Sequence, residues 1–175
     1  MHPYPHHLVT TFRAADGTPV TLRPIRAEDA AIEQEFVRGL SDEARYYRFR
    51  DVLRELTPPM LKHLTEIDYQ RHMALIAVTE AGGREIEIGV GRYVVFPDGE
   101  SCEFALVIGD GWQALGIATA LMQRLMEAAR AYGLKKMTGE VTSSNRKMLR
   151  FVAKLGFAAE PHPEDSQLVR VSRTL

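Results

Sequence analysis

The sequence predicts a single domain of mixed α/β class, a mostly antiparallel central sheet flanked by helices. Three observations predict it. Helix-like segments cluster early, from about residue 26 to residue 67. Three apolar, strand-like segments follow, and their connections are too short for crossovers, so they form an antiparallel meander. The chain then alternates helix and strand to its end, which extends the same sheet with a crossover.

Each element has its own signal. Val20 to Ile25, VTLRPI, alternates apolar and polar residues as a strand with one buried face does. RAEDAAIEQEFVRGL carries Ile32, Phe36, Val37 and Leu40 at helical spacing, with Gly39 as a stop. Ser41 can cap a second helix through DEARYYRF. Thr57 and the prolines behind it open a third, TPPMLKHLTEI. MALIAVTE, EIEIGVGRYVVF and SCEFALVIG are strands separated by the turn signals AGG and PDGE. The helix after GDGWQALG presents Ile117, Leu121, Leu125 and Ala128 as its inner stripe. LKKMTGEVT is a strand, SNRKMLRFVAKLGF a helix ending at Gly156, and SQLVRVSRTL the strand that closes the sheet.

The bulk properties suit one soluble domain. At 175 residues the chain can bury a sizeable core. A net charge of −1 gives no electrostatic reason to expect nucleic acid. No apolar run approaches the roughly 20 residues that span a bilayer, so no membrane partner is expected. MHPYPHHLVTTFRAADG lacks the basic start and apolar stretch of a signal peptide. The single cysteine, Cys102, excludes an intrachain disulfide and fits a reducing, cytoplasmic setting. Residues 1–18 are expected to be an N-terminal tail, disordered or loosely docked, ahead of a domain over 19–175. His2, His6 and His7 have no further ligands at a metal-like spacing, and no metal site is expected.

The chemistry concentrates in GDGWQALGIATALMQRL, residues 109–125. A helix start leaves backbone N–H groups without partners, and the aligned peptide dipoles add positive charge there. Phosphate is the usual occupant of such a place. Gly116 and Ala118 remove bulk at Cβ, and Thr119 offers a hydroxyl. The preceding strand, FALVI, brings the chain to the sheet's C-terminal edge, where open α/β sheets bind ligands. The stretch is neither a nucleotide P-loop nor a G-x-G-x-x-G turn. Taken alone it is also what any helix looks like when it starts after a Gly-rich turn.

Read in order, CEFALVI, DGWQALGIATALMQRLMEAARAYG and GEVTSSNRKMLRFVAKLGF resemble the GNAT superfamily of acyl-CoA-dependent N-acyltransferases. That family's Q/R-x-x-G-x-G/A loop is here Gln113-Ala114-Leu115-Gly116-Ile117-Ala118, and its later asparagine and LGF are Asn145 and Leu155-Gly156-Phe157. The resemblance covers roughly residues 19–175. HPYPHHLVTTFRAADGTPVTLRPIRAEDA, LSDEARYYRF and DYQRHMALIAV further resemble the GNAT domain of bacterial Pat-type protein lysine acetyltransferases. The acyl-CoA-synthetase-like region that often accompanies that domain is not among these residues, so its ligand sensing is not carried over.

The resemblance implies a GNAT fold, acetyl-CoA as cosubstrate and transfer of its acetyl group to a primary amine. The acceptor it implies first is a protein lysine; a small-molecule amine is the alternative, and a non-catalytic acyl-CoA-binding module is a third reading. The diphosphate would lie on backbone N–H groups of Leu115, Gly116, Ile117, Ala118 and Thr119, with Gln113 opening the loop. Pantetheine would pair with the backbone of Leu106, Val107 and Ile108 like an added strand. Asn145 would bond the pantetheine arm, cap the helix after it, or do both.

Glu103 is the candidate base. A lysine amine, of pKa about 10.4, must lose a proton before it attacks a thioester. A carboxylate among the apolar residues of CEFALVI should have a raised pKa, although most glutamates on strands simply face solvent. A backbone N–H near Leu106 or Val107 could hold the oxyanion. The tyrosine that many relatives place on the last helix falls on Val152, beside Phe151, and neither can donate a proton. The thiolate then leaves unassisted, which a thiol pKa of about 8.5 permits, or another group serves; Tyr46, Tyr47, Tyr69 and Tyr93 are not ranked by sequence. Cys102 should face away from Glu103 and be structural. The acceptor groove is expected from about residues 27–66, whose Glu28, Asp29, Glu33, Glu35, Asp42, Glu43, Glu55 and Glu66 either attract a basic partner or form a solvated face. A monomer or a homodimer is expected.

Overall fold

The computed structural model describes residues 2–175. Eight strands form one sheet: β1 (Thr10–Arg13), β2 (Pro19–Pro24), β3 (His72–Ala81), β4 (Arg84–Val95), β5 (Ser101–Ile108), β6 (Lys136–Thr142), β7 (Ala158–Pro161) and β8 (Leu168–Thr174). Their order across the sheet is β1-β2-β3-β4-β5-β6-β8-β7. Every neighbouring pair is antiparallel except β5 and β6, which run parallel because a helical crossover joins them.

Five helices cover the two faces. α1 (Ala30–Gly39), α2 (Asp42–Phe49) and α3 (Pro58–Thr65) precede the meander, while α4 (Ile117–Tyr132) and α5 (Arg146–Lys154) follow it. Strand periodicity divides the core accordingly. Leu75, Tyr93, Cys102, Phe104, Leu106 and Ile108 point to the face that buries Ile117, Leu121, Leu125 and Ala128 of α4. Ala74, Ile76, Val90 and Val107 point to the opposite face, against Phe36 and Val37 of α1. The alternation slips once, where β4 takes an extra residue at Ile88 opposite Ala77 and Val78.

One local expectation needs correction, and one strand was not expected at all. The leader reading fails over residues 10–13: Thr10–Arg13 pair with Pro19–Leu22 as the edge strand of the sheet. Upstream of it, the Tyr4 hydroxyl donates to the carbonyl of Pro24 at 2.7 Å. The pairing partner lies just across a turn closed by Asp16 and Gly17, so four residues of weak alternation suffice to form the strand. β7 also carries no apolar alternation, since all of its residues are exposed, and its pairing with β8 is what makes it a strand. The helix starts, by contrast, are as expected: Ser41 and Thr57 accept hydrogen bonds from the N–H groups of Ala44 and Met60.

Candidate active site

The sheet parts at one place. β5 is paired with β4 from Cys102 to Ile108, and β6 with β8 along its whole length. Between β5 and β6 the ladder has only Ser101, Cys102 and Glu103 opposite Lys136, Met137 and Thr138. Beyond Glu103 the strands diverge. The Phe104 ring lies where a side chain at residue 139 would project, and a Cβ on Gly139 would overlap it. The ring is held edge-on by Phe157, centroids 5.3 Å apart. Glycine on one strand and an aromatic on the other thus set a wedge at the point of divergence.

The wedge opens a cleft of about 510 Å³. Its walls are β5 from Glu103 to Ile108, the start of α4, the end of β6, Asn145 and Met148 beside them, and residues 43–50 of the second helix and its end. α2 lies across the opening as a strap. At its start the Ser41 backbone N–H and hydroxyl both donate to the carboxylate of Asp110, at 2.9 and 2.8 Å. At its end Arg50 donates to Asp165 at 3.1 Å. Midway, the Tyr47 and Ser144 hydroxyls are 3.2 Å apart.

The N-terminus of α4 meets one end of the cleft. Gly116 precedes the helix with φ +88°, a conformation that favours glycine, so the residue is needed for the backbone turn as well as for the open space beside it. Ala114 also has a positive φ, 62°. No side chain caps α4, and the first helical bond runs from Ala120 N–H to the Gly116 carbonyl. The N–H groups of Ile117, Ala118 and Thr119 are therefore left without helical partners. α5 differs: the Asn145 side-chain oxygen accepts from Met148 N–H at 3.3 Å, so Asn145 is a cap, and it also lines the cleft.

Of the residues singled out by sequence, Glu103, Leu106, Val107, Ile108, Gln113, Gly116, Ile117, Ala118, Thr119 and Asn145 line this one cleft. Leu115 does not: its side chain packs on the core and its carbonyl accepts from Ala15 N–H. Glu103 opens toward the cleft while its neighbour Cys102 is buried on the other face. Partial burial raises the Glu103 pKa above the usual glutamate value. The nearby Glu140 carboxylate adds to this, and Arg170 and Arg48 oppose it. Burial alone pushes the Cys102 thiol up to about 12, which fits an inert structural cysteine.

The tyrosines now separate. Tyr47 lines the cleft. Tyr93 is buried in the core, Tyr69 donates to the carbonyl of Ile25, and Tyr46 is exposed. Val152 is buried away from the opening. Of the early acidic residues only Glu43 lines the cleft. Asp29 and Glu33 pair with Arg23 and Arg92 beneath the helices, and Glu35, Asp42 and Glu55 pair with arginines at the surface. Arg48 and Glu140 were missed by sequence. Each belongs to the cleft only because elements distant in the chain converge there. Among the described residues no cluster of His, Cys, Asp and Glu is placed to hold a metal, and no helix is long and apolar enough to cross a membrane.

Comparison with known proteins identifies the family that carries this fold. Residues 20–158 match the model of the acetyltransferase (GNAT) domain family. An acetyltransferase of Pseudomonas aeruginosa is 36% identical over 154 residues, covering 88% of this chain and 83% of that one. The acetyltransferase Pat of Mycolicibacterium smegmatis is 30% identical over 138 residues, 77% of this chain but only 40% of that longer protein. The crystal structure of the GNAT domain of S. lividans PAT superposes with a TM-score of 0.89 at 26% identity, covering 99% of this chain and 100% of that one. A Vibrio cholerae spermidine N-acetyltransferase in complex with CoA and spermine shares the fold, with a TM-score of 0.70 at 19% identity, over 89% of this chain and 95% of that one. A parted parallel strand pair, an uncapped helix start beside it and these relatives lead to one conclusion: the chain belongs to the GNAT acetyltransferases, enzymes that pass the acetyl group of acetyl-CoA to an amine.

Proposed function

We propose that the protein acetylates a primary amine, in the first place a protein lysine side chain, with Glu103 as general base. The observation that carries the reading is the position of Glu103: it is the last paired residue of β5 before the strands part. A carboxylate there stands at the inner end of the cleft, with the uncapped start of α4 at the outer end.

When bound, acetyl-CoA supplies an activated thioester. The N–H groups of Ile117, Ala118 and Thr119 would hold its diphosphate, with Gln113 and Gly116 shaping the turn. Leu115 contributes through the loop backbone alone. The free backbone edge of Leu106, Val107 and Ile108 would take the pantetheine arm as β6 would have been taken had the ladder continued. Asn145, its oxygen occupied by the cap, retains its amide N–H donors for the same arm.

Glu103 would accept a proton from the acceptor ammonium, directly or through one water, leaving the neutral amine to attack the thioester carbonyl. A carboxylate with a raised pKa is better matched to that transfer near neutrality than an ordinary one. Backbone N–H groups near Leu106 and Val107 would face the developing oxyanion. Tyr47, carried by α2, would stand where a phenol can protonate the departing sulfur. The Pat-type resemblance supports a protein lysine as acceptor.

The test has two steps. A thermal shift with acetyl-CoA, absent with NADH and ATP, is expected first. Acetylation of a protein digest in preference to a polyamine panel is expected second, read by mass spectrometry. Acetylated polyamines with an untouched digest would move the reading to small amines, and the lack of any shift with CoA esters would defeat it.

A further inference from the structure

Among the described residues two cations that line the cleft, Arg48 and Lys147, have no ion-pair partner, and of the two only Arg48 is drawn out of water. Arg48 projects from the last turn of α2, half-buried, and lines the cleft together with Glu103. Among the described residues its guanidinium makes no hydrogen bond and no ion pair; its Cζ lies 4.8 Å from the centroid of the adjacent Phe49 ring. The neighbouring cations differ. Arg50 pairs with Asp165, and Lys147 is exposed on α5. Arg45, on the same helix, donates to the Leu40 carbonyl and to Asp42.

An unpaired guanidinium that is partly out of water is unfavourable unless something completes its hydrogen bonds. Its surroundings add to the cost. Burial and the buried Arg92 bring the Arg48 pKa down to about 10, and the charges of Glu33 and Glu103 only partly restore it. The fold holds the group there nonetheless, on a helix tied down at both ends. A guanidinium presents a planar fork of N–H donors that matches a carboxylate or a phosphate. The donor's diphosphate belongs near α4, at the other end of β5, roughly 16 Å from Glu103 at about 3.3 Å per strand residue. What arrives beside Glu103 is the acceptor.

We propose that Arg48 recognises the acceptor by binding a carboxylate that the acceptor carries close to its reacting amine. The inference rests on the proposed amine acetylation and names the acceptor class: an amine paired with an acid, either a free amino acid or a lysine with an acidic neighbour in a peptide. A bare polyamine would bring only positive charge to Arg48. An acceptor with both charges places its ammonium at Glu103 and its carboxylate at Arg48, so each side neutralises the other.

The test is calorimetric binding to the CoA-loaded protein, which needs no turnover. Lysine is compared with cadaverine, the same chain without the carboxylate. A peptide with lysine between glutamates is compared with the same peptide carrying glutamines. In the wild type at least one carboxylate-bearing member should bind roughly 10- to 100-fold more tightly than its partner, the range of a hydrogen bond to a charged group. The lysine pair reports an amino acid's own carboxylate, and the peptide pair reports a neighbouring side chain. Arg48→Gln should bring the preferred ratio close to one, and Arg48→Lys should keep part of it. CoA affinity and melting temperature should stay at wild-type values in both variants. Equal binding within both pairs, or a preference that survives Arg48→Gln, overturns the proposal. A preference for succinyl-CoA over acetyl-CoA that vanishes in Arg48→Gln, with acceptor binding unchanged, also overturns it by moving the carboxylate to the donor. If the binding preference holds but no amine is acetylated, the failure belongs to the proposed reaction and not to Arg48.

Discussion

Two sets of carboxylates in this molecule have pKa values above the ordinary range, and they stand on the same side of the sheet. Glu33 on α1 and Glu87 on β4 are sealed beneath the helices, at 2% and 6% exposure. Both oxygens of Glu87 and one of Glu33 make no hydrogen bond. Burial raises Glu33, and burial and the charge of Glu33 push Glu87 well above the usual value. Arg92, buried with them, is 4.0 Å from Glu33 and donates to the Leu64 carbonyl at 3.1 Å. His72, 3.0 Å from Arg92, is lowered to about 4 by burial and by the Arg92 charge, so it is neutral. Glu103 is raised by the same physical cause but opens onto a cleft. Desolvation is therefore no sign of chemistry. What separates the pair from Glu103 is access for a reactant.

The largest effect that would test this contrast is on turnover. Glu103→Gln should lower kcat by about 10²- to 10⁴-fold, the usual contribution of a general base, while the melting temperature stays put because the residue is exposed. Unchanged kcat would put the base elsewhere. Next in size is Arg92→Ala. It leaves the buried acids without their cation and should cost about 3–5 kcal/mol in a urea titration; a loss below about 0.5 kcal/mol, the ordinary scatter of surface changes, would show the cluster to be solvated.

A smaller effect lies in the pH dependence of stability. Glu87 binds its proton more tightly folded than unfolded. It therefore weakens the fold as pH rises above the ordinary 4.5, where only the unfolded chain releases the proton. Glu87→Gln should flatten that decline, measured as the midpoint of denaturant unfolding between acid and neutral pH. An identical slope in variant and wild type would mean that Glu87 titrates normally. Smallest is the shift of the acid limb of kcat/KM. Activity should be lost as pH falls through an apparent pKa above 4.5, because Glu103 must be ionised to take the proton. A limb at or below 4.5 would remove the raised base from the account.

Much of this was legible in the sequence because it is local. Helix caps at Ser41 and Thr57, the inner stripe of α4 and the meander turns depend on residues a few positions apart. The line from Glu103 to Ile108 and the loop from Gln113 to Thr119 were legible for the same reason. Gly116 was legible as a small residue, but its left-handed backbone was not, whereas Asn145 is the helix cap that the sequence offered and also lines the cleft. Residues whose placement needs distant partners stayed hidden. Tyr47 and Arg48 reach the cleft because Asp110 and Asp165 hold the two ends of α2. Glu140 reaches it because β6 leaves its neighbour, and Thr10–Arg13 become a strand only beside Pro19–Leu22. Glu33 looked like one more surface acid because its partner, Arg92, is 59 positions away in the chain.

The missing side chain at Gly139 has a consequence beyond the shape it permits. With the Phe104 ring seated against bare backbone, β5 and β6 cannot zip together in the free protein. A ligand arriving there meets a groove already parted and breaks no interstrand bonds to enter. Its interactions can then go into affinity instead of into opening the sheet. A single hydrogen in place of a methyl group, one residue past the strand partner of Glu103, thus keeps the molecule ready to receive.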